Sequence, residues 1–148
     1  MGNSIHQQIF RSVRDGTMVN LQLTHSWLME QIKHFVKTEN LTPQQYYILR
    51  ILKQETKPLS TNQIRERMTD KMSDTSRIVE RLEAKGLVRK DISERDKRMV
   101  DVVITPAGEE LLDHLDCRNG EFDNILGRLS DEELVSLNYL LDKLRNHH

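Results

Sequence analysis

The chain has 148 residues, 36% hydrophobic and 30% charged, with a formal net charge of −1. That length suits one domain of roughly 100–200 residues, and near-neutral charge argues against a protein that coats nucleic acid indiscriminately. No run approaches the ~18 apolar residues of a membrane span, the N-terminus has no basic stretch leading into an apolar one, and the single cysteine, Cys117, cannot form an internal disulfide, so a soluble protein of the reducing cytoplasm is expected.

In chain order, Leu21, Leu28, Ile32 and Phe35 recur at steps of seven, four and three, which predicts a first helix beginning near Ile5 and bent at Gly16. Thr42-Pro43-Gln44-Gln45 opens a second helix, because a Ser or Thr cap answered three residues later by Gln or Glu satisfies two orphan backbone donors. Tyr46, Leu49 and Leu52 share one face of it, and Tyr47, Ile48 and Ile51 widen that face, a breadth that predicts burial on several sides. Lys57-Pro58-Leu59 is a connector or edge strand. Ser60-Thr61-Asn62-Gln63 repeats the box and starts a short helix with Ile64 and Met68 inward; Thr69-Asp70-Lys71 is a polar turn. A further helix then turns Thr75, Ile78, Val79 and Leu82 inward, and the pair reads as a helix-turn-helix.

Lys85-Gly86 ends that helix on a residue free to take the left-handed conformation. The hydrophobic period then changes from 3.6 to 2, with strands over 87–92 and 99–105 joined by the charged tip Ser93-Glu94-Arg95-Asp96-Lys97-Arg98. Thr105-Pro106 caps one long helix carrying Leu111, Leu112, Leu115, Phe122, Ile125 and Leu126. The box Ser130-Asp131-Glu132-Glu133 starts a last helix with Leu134, Leu137, Leu140, Leu141 and Leu144 on one side. The fold class is therefore mainly α with a small β-hairpin wing, a winged helix-turn-helix.

Charge is partitioned along this frame. Residues 61–98 hold 11 of the 22 Lys/Arg against 8 of the 23 Asp/Glu, leaving 11 against 15 elsewhere, so the positive charge sits in the middle. A helix in a major groove reaches base edges with its first residues, here Ser73, Asp74, Thr75, Ser76 and Arg77. Arginine's planar fork suits guanine or phosphate, and Arg81, one turn on, lies over the backbone. The plain alternative is that Ser73 only caps the helix and Arg77 pairs with Glu80 or Glu83. Ser60 and Asn62, at the start of the preceding helix, complete the candidate DNA-contacting set on that side. At the tip, Arg95, Lys97 and Arg98 suit the negative potential of a minor groove, with Asp96 expected to pair with Arg98 and hold its orientation.

The segment 73–105, with Thr75-Ser76-Arg77-Ile78-Val79-Glu80-Arg81-Leu82, then Asp96-Lys97-Arg98 and Ile104-Thr105-Pro106-Ala107-Gly108, resembles the MarR family of bacterial transcription regulators. That family's hallmark is a wing with Asp-x-Arg and a strand ending in Leu-Thr-x-x-Gly; Ile104 stands for the Leu. The resemblance implies a homodimer built from helices at 5–40 and 106–146, and a DNA-binding part at 42–105. It further implies a recognition helix in each major groove, a wing arginine in the minor groove, and often a small-molecule effector. Double-stranded DNA, a second copy of the chain and an effector are thus the expected partners, with no cofactor, metal or membrane. Thr69-Asp70 replaces the glycine-plus-apolar pair frequent at the family's turn, with Met72 supplying the missing inward contact, which leaves open which of Asp74, Ser76 and Arg77 touches bases.

Other chemistry finds little support. Cys117 sits among Asp113, Asp116 and Glu121, whereas activated thiolates sit in cationic settings. His6, His25, His34 and His114 lack the short spacing of zinc ligands. Trp27, Tyr46 and Tyr47 are core residues or the lining of an effector pocket. No glycine-rich phosphate loop or nucleophile elbow is present, so no enzyme is expected. The rival function is a dimeric ligand- or protein-interaction module that does not read DNA.

Overall fold

The computed structural model describes residues 11–118 and 120–146; the stretch from Ile5 to Phe10, His6 included, lies outside the described residues. Among them the chain divides into two compact units after Leu112.

In the first unit, helix α1 (Val13–Lys37) starts where Ser12, in extended conformation, accepts the Asp15 N–H at 3.2 Å. The first described helix therefore begins at Val13 rather than running on from Ile5, because a cap geometry is incompatible with continuing a helix through the same residue. Ile32, Phe35 and Val36 are buried at its C-terminal end, while Leu21 and Leu28 are only half-buried. Asn40 (φ 56°) turns the chain back, with the Leu41 N–H on the Val36 carbonyl at 3.2 Å, a left-handed position that asparagine tolerates better than most residues.

Helix α2 (Pro43–Gln54) begins with both halves of the Thr42–Gln45 capping box in place. It buries Tyr46, Ile48, Leu49 and Leu52, and the Phe35 and Tyr46 rings meet edge-on at 6.4 Å. Fully burying each such side chain contributes about 1.5–3 kcal/mol, which makes α2 the centre of the core, as its broad apolar face predicts. Strand β1 (Leu59–Ser60) is two residues long; Ser60 also caps α3 (Thr61–Arg67). Helix α4 (Thr75–Ala84) follows the turn, then strands β2 (Val88–Ile92) and β3 (Val100–Ile104). The antiparallel sheet has order β1-β3-β2, with Leu59 opposite Val102, Val88 opposite Ile104 and Ile92 opposite Val100.

That register sets Asp91 directly opposite Asp101, a like-charge pairing that destabilises a sheet. Arg89 offsets it by gripping Asp91, Nε to Oδ1 at 2.9 Å, and this hydrogen bond, with the arginine's charge, holds the Asp91 carboxyl below the usual carboxylate range. The simple alternation expected of β3 is also altered: Val100 is exposed and Asp101 buried.

Helix α5 (Pro106–Asp116) stops short of the single long helix expected, and α6 (Gly120–Leu126) is separate. Cys117 and Arg118 form a turn between them, and Arg118 pairs with Glu121 at 3.1 Å. Glycine at 120 weakens helix continuation by about 1 kcal/mol relative to alanine, enough to let the local turn win. Helix α7 (Asp131–Arg145) starts at a complete Ser130–Glu133 box.

Candidate nucleic-acid interface

The turn between α3 and α4 is organised by Asp70. Its carboxylate accepts the Met72 N–H at 3.1 Å and its carbonyl accepts the Ser73 hydroxyl at 2.8 Å, an arrangement typical of short polar turns. Asp74 caps α4 by accepting the Arg77 N–H at 3.3 Å. The cap is thus Asp74, and Ser73 is held one step earlier against Asp70.

Met68, not Met72, fills the inward space beside the turn: Met68 is buried, whereas Met72 is 94% exposed. The extended Met68 closes α3 with its N–H on the Ile64 and Arg65 carbonyls, so the inward position is taken before the chain reaches Met72.

At its far end α4 closes in a Schellman motif. The Leu87 N–H reaches the Leu82 carbonyl at 3.0 Å and the Gly86 N–H reaches that of Glu83 at 2.9 Å, with Gly86 at φ 73°. The Lys85 ammonium donates to the Asn40 carbonyl and to Gln45 Oε1, the latter at 3.2 Å. Gln45 also answers Thr42 in the capping box at 3.1 Å, so the end of α4 is tied to the corner between α1 and α2.

The wing is tied to α4 through one short motif. Thr105 donates its hydroxyl to the Gly86 carbonyl at 2.7 Å, its N–H to that of Leu87 at 3.1 Å, and accepts the Gly108 N–H at 3.2 Å. A Cβ on Gly108 would lie 2.4 Å from the Leu87 carbonyl oxygen, so the Thr-x-x-Gly spacing answers a close approach that only glycine permits.

The candidate side chains fall into two groups. Asn62, Asp74, Ser76, Arg77, Arg81, Arg95, Lys97 and Arg98 are exposed. Arg77 lies 3.8 Å from Asp74, both largely in water, and an exposed pair of this kind is worth ~0–1 kcal/mol, so it yields readily to a stronger anion. Ser60 is buried, its hydroxyl occupied by the Gln63 N–H at 3.2 Å, and Ser73 is half-buried against Asp70. Thr75 is fully buried and its Oγ1 has no hydrogen-bond partner among the described residues. The inward face of α4 claims it, so it presents nothing to a partner.

At the wing tip Asp96 accepts the Arg98 N–H at 3.0 Å and Arg98 Nε at 3.2 Å. These bonds, backbone first, hold the Asp96 carboxyl below its ordinary range. Arg98 is nonetheless 89% exposed: the contact aims the guanidinium without covering it. Lys71, expected in the polar turn, and Met72, expected to face inward, both stand exposed just ahead of the α4 cap.

Of the three aromatics, Tyr46 is buried, Tyr47 is half-buried with its ring 5.8 Å from that of Tyr46, and Trp27 is 45% exposed on α1. Burial, then the neighbouring Tyr46, raises the Tyr47 hydroxyl above its ordinary value. Two cavities of about 350 and 330 Å³ lie at the base of the wing, both bordered by Arg95 and Asp101 and neither by these aromatics. Among the described residues no three His, Cys, Asp or Glu side chains gather as a metal site, and no helix is long and apolar enough to cross a membrane.

Residues 39–99 match the MarR family model. The chain is 27% identical over 135 residues to the transcriptional repressor MdtR of Bacillus subtilis, covering 88% of this chain and 86% of that one. The organohalide-sensing regulator RdhR in its 2,4-dichlorophenol-bound form superposes with a TM-score of 0.81 at 23% identity, covering 92% of this chain and 81% of that one. A mutant MarR from E. coli complexed with operator DNA gives 0.79 at 18% identity, covering 90% and 95%. The chain has the winged helix-turn-helix fold of these regulators, and its residues 39–99 are similar to the MarR family.

Proposed function

We propose that this chain is a non-enzymatic, homodimeric repressor that occupies a pseudo-palindromic operator and is released by a small-molecule effector. The observation that carries the reading is the joint presentation of two cationic elements. The exposed start of α4 bears Ser76 and Arg77, and the wing bears Arg95, Lys97 and the Asp96-aimed Arg98, with Thr105 pinning wing to helix. In this role residues 42–105 read DNA: α4 enters the major groove with Asp74, Ser76 and Arg77 leading, Arg81 over the backbone, Asn62 near a phosphate and Arg98 in the minor groove. Half-sites lie about 10–10.5 base pairs apart.

Dimerisation rests on apolar side chains left in water. Met18, Leu23 and Trp27 on α1, and Leu137, Leu140 and Leu144 on α7, are all exposed, and large apolar side chains left in water along a helix are what an interface covers. The stretches at 5–40 and 106–146 would supply the dimer contacts. An effector bound near Trp27, Tyr46 and Tyr47 would lower DNA affinity by its preference for a dimer whose α4 helices are wrongly spaced. Selection of bound sequences from random duplexes tests the whole reading: enrichment of an inverted repeat supports it, and no enrichment favours the interaction module, which the net charge of −1 favours slightly.

A further inference from the structure

We propose that Met72 reads the C5-methyl group of a pyrimidine in the major groove, a specificity-determining contact that the polar side chains of α4 do not supply. The inference rests on the DNA-reading role above. Met72 is the most exposed large apolar side chain among the described residues, at 94%. Its backbone is nevertheless fixed. The Met72 N–H is bound to the Asp70 carboxylate, the next residue's hydroxyl to the Asp70 carbonyl, and Asp74 caps α4 two residues on. A large apolar group is therefore held out in water just ahead of the helix end that reaches deepest into a groove.

Its surroundings point to a duplex as the occupant. Lys71 beside it and Arg77 in the first turn of α4 are exposed cations, suited to the phosphates that border a major groove. On the groove floor nearly every edge atom is a hydrogen-bond donor or acceptor, and the apolar exception is the pyrimidine C5-methyl of thymine; 5-methylcytosine carries the same group. A thioether on three rotatable bonds satisfies donors and acceptors poorly but adapts well to a small apolar knob.

The experiment starts from the duplex that the wild-type full-length protein selects. Each thymine in a half-site is replaced in turn by deoxyuridine, which keeps every polar edge and removes only the methyl; cytosine and 5-methylcytosine are compared at the same positions. Binding of wild type, Met72→Ala and Met72→Leu is followed by fluorescence anisotropy. At one position per half-site, wild type should lose about fourfold on losing the methyl, or about fifteenfold over two half-sites, the ratio expected for one buried methyl each. Met72→Ala should bind both duplexes alike, and Met72→Leu should keep the preference. A methyl preference recovered with 5-methylcytosine but not thymine would assign the contact to modified DNA. Equal wild-type binding to the thymine and deoxyuridine duplexes at every position, with no 5-methylcytosine preference, overturns the proposal. So does a Met72→Ala loss that is the same with and without the methyl. Neither result touches the wider reading, which fails separately if wild type selects no duplex at all.

Discussion

The hydroxyl of Thr105 donates to the carbonyl of Gly86 at 2.7 Å, joining the last residue before α5 to the residue that ends α4. One side chain thereby fixes the angle between α4 and the wing strand that leaves it, since the same oxygen also accepts the Gly108 N–H. Gly108→Ala should drive a Cβ to within 2.4 Å of the Leu87 carbonyl oxygen and destabilise the fold by about 1–3 kcal/mol. Urea denaturation checks this; an unchanged midpoint would mean that the approach relaxes without cost.

Thr75→Val should raise stability by about 1 kcal/mol, because it removes a buried hydroxyl that has no partner among the described residues and such a group costs ~1–3 kcal/mol. Duplex affinity should stay within about twofold of wild type. A large loss of binding with the fold intact would return Thr75 to the contact surface.

The pairing at the wing tip has a defined pH signature. The folded-state value of Asp96 is lowered, first by the Arg98 backbone N–H and then by its side chain. The carboxylate contact is therefore complete above the ordinary value of about 3.9 and is lost only as pH falls through the lower folded value. Arg98→Ala keeps the backbone donor and removes the guanidinium, so the Asp96 midpoint, read from its carboxyl NMR shift, should rise part of the way toward the ordinary value. A midpoint that does not move would show that the side-chain bond is not formed in solution.

Leu140 is exposed on α7, so in the proposed homodimer Leu140→Glu should shift sedimentation from dimer to monomer and weaken operator binding at least tenfold, through loss of the second half-site. A dimer of unchanged stability would place the interface elsewhere.

Much of this architecture was legible because its signals are local. The boxes at Thr42, Ser60 and Ser130 each satisfy their own helix start within four residues, and the wing's change of period needs only the strands themselves. What the sequence hid depends on tertiary competition. Met68 and Met72 are the same residue type four apart, and only packing against the core decides which turns in. The stop at Asp116 sets Gly120 against an apolar pattern that runs straight past it, and the burial of Asp101 follows from a three-stranded register that no period of two foretells. At the site, the Asp96–Arg98 contact was readable from two residues' spacing, whereas the withdrawal of Ser60 and Thr75 required knowing which side of each helix start faces the core.

The central claim is that the wing and the start of α4 form one cationic reading head. It is tested most directly by anisotropy binding of the selected duplex to wild type, Arg98→Ala and Arg118→Ala, the last replacing an arginine paired with Glu121 outside the reading head. Arg98→Ala should weaken binding at least tenfold, about 1.4 kcal/mol or more, while Arg118→Ala stays within about twofold. Equal small losses in the two variants, or a wild-type protein that binds no duplex at low salt, would contradict the account.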